Sequence, residues 1–180
     1  ILGYGARISG MAKHMGIYDI PYKIAAVCDP RADEIRARDE GMLEGAEFFD
    51  SPDDLLDQAD IDGVMIGTRC HLHTPMAVKV AQRNLPLFLE KPVAVSYEQL
   101  RELEDAFRDY KAPVVVSFPL RTSPVAQRVK ELIDADKIGP VEHVVAYNDP
   151  SYGSIYFRGW YRNYDEVQGL FLQKATHDFD

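Results

Sequence analysis

Apolar and polar positions along this chain fall into two alternating textures. Short apolar runs at residues 22–28 (Tyr-Lys-Ile-Ala-Ala-Val-Cys), 63–66 (Gly-Val-Met-Ile), 87–89 (Leu-Phe-Leu) and 113–118 (Pro-Val-Val-Val-Ser-Phe) are separated by longer mixed stretches. Runs of this length, bounded by Asp-Pro, Gly or Pro, predict buried strands. The stretches between them predict helices over 7–17, over 31–41, from Ser51, from Thr74-Pro75 to near Asn84, and from Ser96 to about residue 111. Ser51 suits an N-cap, with Pro52 at the first helical position and Asp53 and Asp54 facing the positive end of the helix. Ser96 and Gln99 resemble a capping box, and Asn84 tolerates the left-handed conformation that ends a helix. Ile1-Leu2-Gly3 reads as the end of a strand already under way. Strand and helix alternate throughout, which predicts an α/β fold with a doubly wound parallel sheet covered on both faces.

Past Phe118 the texture changes, dividing the chain into a first domain at 1–121 and a second at 122–180. The second is expected to hold a helix over 123–135, a turn at Gly139-Pro140, a strand over 141–147 and the start of an amphipathic helix at 169–180. One strand and two helices cannot cover their own apolar faces, and roughly 60 residues make a marginal core. The chain is therefore expected to be a piece of a longer protein, with its first strand and its second domain both incomplete.

Composition narrows the partners. The 180 residues are 46% hydrophobic and 27% charged, enough to build a core. A net charge of -9, with no dense lysine and arginine cluster, argues against a nucleic-acid partner. No apolar stretch approaches the roughly 18 residues of a membrane span, and no basic-then-apolar leader is visible. Cys28 and Cys70 lack CxxC spacing, and the five histidines form no HxxxH or HExxH pair, so neither a disulfide nor a metal site is expected. These features predict a soluble, cytoplasmic protein.

Three places carry chemistry. Gly3-Tyr4-Gly5-Ala6-Arg7 follows a strand end and opens a helix, where free backbone N–H groups and the helix dipole suit a pyrophosphate. The third glycine of that fingerprint is replaced by Ile8, and Gly10 and Ala12 are the candidates to restore close packing. Asp29 ends the second strand roughly 20 residues on, where a carboxylate accepts bonds from ribose hydroxyls and repels a 2′-phosphate. NAD is thereby favoured, while Arg31 and Arg7, able to reach a phosphate, leave NADP open. Glu90-Lys91-Pro92 ends the strand at 87–89; its lysine is either a solvated turn residue or a hydrogen-bond donor at the ligand-binding edge of the sheet.

Together with His73 before a helix, Arg121-Thr-Ser-Pro, and Ile138-Gly-Pro-Val, these motifs resemble the glucose-fructose oxidoreductase, inositol dehydrogenase and rhizopine-catabolism family (Gfo/Idh/MocA) over nearly the whole chain. The resemblance implies a Rossmann domain followed by an α/β domain whose open sheet often forms a homo-oligomer interface. It also implies hydride transfer between a nicotinamide and a sugar-like or polyol substrate. Gly3, Gly5, Ala6, Arg7, Asp29, Arg31, Thr68, His73 and Glu90 then fall on the cofactor side, and Arg121 on the substrate side. Lys91 matches the lysine of the family's EKP motif, which points at the substrate hydroxyl or carbonyl, and His177 matches its acid–base histidine. Lys91-Pro92 is a candidate cis bond on the same grounds.

The chain departs from the inositol-dehydrogenase pattern at Gln173, where those members carry an aspartate four residues before the histidine. Lys174 instead resembles a KxxH variant, with Lys174, His177 and Asp180 spaced along one helix. Without the resemblance that stripe reads as a solvated helix face. The aromatic and basic segment Tyr152, Tyr156, Arg158, Trp160, Tyr161 and Arg162 suits sugar rings and acidic groups, and equally suits packing; Trp160, Tyr161 and Arg162 are taken as substrate candidates. Two alternatives to a dehydrogenase stay open: an NAD-dependent glycosidase that oxidises the sugar transiently, and a non-catalytic nucleotide-binding scaffold.

Overall fold

A computed structural model describes residues 1–151 and 155–180, which divide into two units, Ile1–Val116 and Ser117–Asp180. In the first unit, α1 (Ala6–Ile17), β1 (Ala26–Val27), α2 (Ala32–Arg38), β2 (Glu47–Phe48), α3 (Pro52–Gln58), β3 (Val64–Ile66), α4 (His73–Gln82), β4 (Leu87–Leu89), α5 (Tyr97–Phe107) and β5 (Val114–Val116) follow one another. β1 pairs with β2, and β3, β4 and β5 pair in that order, all parallel. Residues 1–3 join the two ladders. Leu2 makes parallel bridges to Cys28 and Ile66. Its N–H donates to Met65 O (2.9 Å), Gly67 N–H donates to Leu2 O (2.9 Å) and Gly3 N–H donates to Cys28 O (2.9 Å). The opening segment thus lies between β1 and β3, and the complete order has the first strand in the middle of the sheet, as in a dinucleotide-binding fold.

The period-two alternation of strand side chains sorts the core into two layers. Leu2, Ala26, Val64, Ile66, Leu87 and Leu89 face α3, α4 and α5 through Leu55, Leu56, Ala77, Val80 and Leu103. Val27 faces α1 and α2 through Ile8, Ala12 and Ile35, with Met65 and Phe88 packed against the same layer. The sheet is therefore doubly wound, as the alternation of elements predicts.

Several local signals form as expected. Ser51 caps α3 by accepting from Asp54 N–H, and Pro52 stands in its first turn. Asn84, past the end of α4, has φ +51° and its Oδ1 accepts from Lys111 N–H (2.9 Å) and Ala112 N–H (3.2 Å). Others differ. α4 begins at His73, with Thr74 and Pro75 inside its first turn. The first apolar run narrows to Ala26–Val27, with Tyr22 exposed at its start. β2, an edge strand of two residues, is too short to leave a periodic signal in the sequence.

The second unit departs most from expectation. α6 (Pro124–Asp134) forms behind its Ser123 cap, but residues 141–147 form no strand. Val144 and Tyr147 are 76% and 94% exposed, and no neighbouring strand among the described residues pairs with them. An apolar run without a partner ladder has nothing to satisfy its backbone groups or cover its side chains. α7 (Tyr164–Val167) is a single turn. The expected amphipathic helix at 169–180 is a π-helical turn over Phe171–Ala175 that runs into α8 (Thr176–Phe179).

Candidate functional site

The carboxyl ends of the parallel strands bring the first unit's candidate residues together. Gly3 ends the opening segment with φ +81°, and a Cβ there would stand 2.7 Å from Thr68 N and 2.8 Å from Thr68 Cα. Only glycine permits both that conformation and that approach. Gly5 differs. Its φ of -77° is ordinary, and its nearest neighbour would be Gly67 O at 3.7 Å, so nothing inside the unit demands a glycine there. Gly5 is the N-cap of α1 without a side-chain hydrogen bond, and no acidic residue occupies the first turn. A twelve-residue helix that starts without a side-chain cap or a first-turn acid suits an outside anion at its N-terminus. That cradle fits a pyrophosphate, with Ala6 and Arg7 in the turn that would hold it.

Ile8 occupies the third glycine position and is fully buried. The space for it comes from Gly67, where an added Cβ would stand 2.2 Å from Ile8 Cγ1. Gly10, the substitute expected from the sequence, has nothing within 4 Å of its Cβ position and plays no such part. Ala12 is buried beneath the same layer. The compensating glycine lies on the facing strand end, at a separation in sequence that no local motif captures.

Asp29, 7% exposed, sits after β1. Its Oδ2 accepts from Tyr4 N–H (2.9 Å), and its Oδ1 accepts from Arg31 N–H (3.0 Å). The Arg31 guanidinium closes on both oxygens, Nε on Oδ1 at 3.1 Å and a terminal nitrogen on Oδ2 at 3.2 Å. Burial pushes the carboxyl up, but the Arg31 hydrogen bonds and charge, with the Tyr4 N–H, outweigh it and hold its pKa below the usual carboxylate range. Asp29 and Arg31 border an open cleft of about 680 Å³ whose walls include Gly3, Asp33, Asp50 and Thr68. Cys28, on the same cleft, is a free thiol whose pKa burial raises, so it is poorly suited to nucleophilic work.

At the end of β4, Glu90 is 8% exposed and accepts from Arg7 Nε (3.1 Å), linking this strand to the first turn of α1. Lys91 is half-buried, and the Lys91-Pro92 bond is cis. His73 is turned inward at 2% exposure, with Nδ1 2.7 Å from Pro92 O and Nε2 3.2 Å from Thr68 O. Burial lowers its pKa against the raising effect of the two carbonyls. Thr74 Oγ1 donates to Val93 O (2.8 Å). Gln99 does not close the reciprocal capping box. Its backbone N–H donates to Ser96 Oγ (3.2 Å), while its side chain accepts from Val95 N–H (2.9 Å) and donates to His71 O (2.8 Å). The links from Gln99 to Val95 and His71, and the part played by Gly67, escaped the sequence reading; the capping-box pair at Ser96 and Gln99 and a glycine directly after β3 were the available signals.

In the second unit, Arg121 donates from Nε to both Asp180 carboxylate oxygens (2.7 Å each). The two line a cavity of about 850 Å³ with His177, Gln127 and Lys130. The His177 ring meets Phe118 edge-on at 5.8 Å. Lys174 lies in the π turn and is not among the cavity's lining residues, whereas His177 and Asp180 are. Gln173 is buried. Trp160 stacks on Tyr161 at 3.9 Å and Tyr156 meets Tyr161 edge-on, while Arg162 is exposed. Tyr152 lies outside the described residues. Among the described residues no group of His, Cys, Asp and Glu could hold a metal ion, and no helix is long and apolar enough to cross a membrane.

A doubly wound parallel sheet with a glycine turn, an uncapped helix start and an acid after the adjoining strand defines a dinucleotide-binding domain. The Gfo/Idh/MocA profile, described as an oxidoreductase family with an NAD-binding Rossmann fold, matches residues 1–118. The chain belongs to that family, and NAD is the cofactor of its fold. It is 30% identical over 177 residues to a putative oxidoreductase, YteT, of Bacillus subtilis (strain 168), covering 97% of this chain and 40% of YteT. It is 27% identical over 192 residues to the scyllo-inositol 2-dehydrogenase (NAD(+)) of the same organism, covering 100% of this chain and 51% of the relative. Its fold matches the crystal structure of myo-inositol dehydrogenase from Lactobacillus casei in complex with NAD(H) and myo-inositol, at TM-score 0.68 and 23% identity over 77% of this chain and 41% of that one. The chain thus spans about half the length, or less, of these relatives.

Proposed function

We propose that this chain carries the cofactor-binding part, and the start of the substrate-binding part, of an NAD-dependent dehydrogenase acting on a sugar-like or polyol substrate. Gly5 is the observation that carries the reading: its missing side chain answers no need of the fold and leaves the start of α1 open to an anion. The N–H groups of the first turn would hold the pyrophosphate, and Asp29 would accept from the adenosine ribose. When bound, the nicotinamide supplies a hydride acceptor or donor. Lys91 would donate to the substrate oxygen and stabilise the charge developing there, and His177 would take the hydroxyl proton. Relatives named for inositol support a polyol, while Gln173 in place of the dyad aspartate weighs against a plain inositol dehydrogenase. Arg121, Trp160, Tyr161, Arg162 and Lys174 remain substrate candidates.

NAD is favoured over NADP because Asp29 holds its charge where a 2′-phosphate would lie, with Asp33, Glu34 and Asp50 around the same cleft. The cleft's two guanidiniums are paired with its acids, Arg31 with Asp29 and Arg36 with Asp33. The test is NADH binding by fluorescence, followed by reduction of NAD with a panel of polyols and sugars. Binding in the micromolar range with NADH production supports the reading, and absence of nicotinamide binding sinks it. Loss of turnover on Lys91→Ala with NADH binding retained would assign the lysine to the chemical step.

A further inference from the structure

Lys91 follows a short strand and begins a turn, a place where a flexible side chain has no backbone ladder to orient it. Three side chains tie that turn down, and they come from the starts of two different helices. His73, at the first position of α4, puts one ring nitrogen 2.7 Å from Pro92 O and the other 3.2 Å from Thr68 O. Thr74 donates to Val93 O, and Gln99 of α5 bridges Val95 N–H to His71 O. All three span the same gap, between the loop after β3 and the turn after β4. Thr68 is also the residue on which Gly3 packs, so the far end of the strap rests on the glycine turn.

We propose that His73 is a positioning residue for Lys91: it fastens the Lys91-Pro92 turn to the Thr68 loop, with Thr74 and Gln99 as the secondary ties, and so fixes where the lysine stands beside the glycine turn. This rests on Lys91 as the reacting cation only for its functional meaning; the geometric part stands alone. Both partners of His73 are carbonyl oxygens, which accept and never donate, so a neutral ring donates to one of them. The shorter contact makes Nδ1–H the donor to Pro92 O, and the tie to the lysine turn is the stronger of the two. A group that served only to fill space would need neither nitrogen aimed at a carbonyl.

The chemistry separates the substitutions. Asparagine places an N–H close to the position of Nδ1 and can still donate to Pro92 O, whereas alanine removes both ties. The experiment is carbon-13 NMR of the protein with its lysines reductively methylated, the Lys91 resonance being assigned by its loss in Lys91→Arg. In the unaltered protein that resonance should stand apart from exposed lysines such as Lys111. His73→Ala should move it at least half of the way to the Lys111 position, and His73→Asn should leave it within a quarter of that separation. A Lys91 resonance unmoved by His73→Ala in a folded spectrum overturns the proposal, as does an equal displacement in the alanine and asparagine variants. Should His73→Ala fail to fold, Thr74→Val and Gln99→Met each remove one tie at nearly constant volume. Displacement in the same direction then supports the strap, and none refutes it. The readout is the position of Lys91 and not turnover, so a lysine held as described but without catalytic effect would refute the functional reading and leave the strap intact.

Discussion

Gly67 and Ile8 should behave as a coupled pair. An alanine at 67 would place its Cβ 2.2 Å from Ile8 Cγ1, 3.0 Å from Ile8 Cδ1 and 3.0 Å from Gly3 O. Carbon atoms pack at roughly 3.5–4.0 Å, so the first contact is about 1.3 Å too close. Cγ1 is one bond from Cβ and cannot swing clear without moving a fully buried side chain. Overpacking of this kind costs about 1–3 kcal/mol, and the depth of the overlap puts Gly67→Ala near the upper end. Ile8→Ala alone should cost about 2–5 kcal/mol through the cavity it leaves. In the Ile8→Ala background the two contacts with Ile8 are gone and only the 3.0 Å approach to Gly3 O remains, offset by the lower unfolded-state entropy of alanine, which returns about 0.4–1 kcal/mol. Gly67→Ala should then be within about 1 kcal/mol of neutral, a coupling of about 2–3 kcal/mol. Urea unfolding followed by far-UV circular dichroism measures all four proteins. An equal cost of Gly67→Ala in both backgrounds would refute the pairing and assign the strain to Gly3 O instead.

Three further outcomes are expected. Gly5→Ala meets no neighbour closer than 3.7 Å, so its unfolding midpoint should be unchanged or raised while NADH affinity falls at least about tenfold, close to 1.4 kcal/mol; unchanged affinity would dismiss the anion cradle. Tyr4 is fully buried with no hydrogen-bond partner for its hydroxyl, and burial, followed by the Asp39 charge, pushes its pKa up to about 12. Tyr4→Phe should therefore be neutral or stabilising by up to about 1 kcal/mol at neutral pH. Above pH ~10 the unfolded tyrosine ionises first, so the parent protein should lose stability up to pH about 12 relative to the variant. His73 has a folded-state pKa below its ordinary value, so the unfolded state takes up the proton first as pH falls. Stability from this group should decline from about pH 6.5 downward, and the urea midpoint of His73→Asn should fall less between pH 7 and pH 5 than that of the parent.

What the sequence made legible was local in the chain. Gly3, Gly5 and Asp29 each follow a strand within a few residues, and strand ends gather at one edge of a parallel sheet whatever the side chains in between. Ser51 and Asn84 act on backbone three and some twenty-seven residues away, the first visible as a cap signal and the second only as a turn residue. Gly67 making room for Ile8 was not legible, because the two meet only after α1 packs on the sheet. Nor was the inward turn of His73, since the carbonyls it faces lie five and nineteen residues off in loops without regular structure. Residues 141–147 failed in the opposite sense: their composition suits a strand, but strand formation depends on a neighbour and not on composition.

The contacts around the strand ends form a closed circuit, which explains why some substitutions should propagate and others stay silent. Gly3 packs on Thr68, Thr68 O faces His73 Nε2, His73 Nδ1 lies 2.7 Å from Pro92 O, and Glu90, two residues before, accepts from Arg7. Arg7 lies in the first turn of α1, two residues after Gly5 and four after Gly3. The glycine turn and the lysine turn are therefore tied to one another by packing on one side and by a buried carboxylate on the other. Enlarging Gly3 or removing His73 breaks the circuit and should disturb both turns. Gly5 stands on the circuit by its backbone alone, with only Gly67 O within 4 Å of where a side chain would begin, so its replacement should spare the fold and affect only what binds there. A site assembled from chain segments at 3–7, 68–73 and 90–92 keeps its geometry through such redundancy, because no strand among the described residues is longer than three residues.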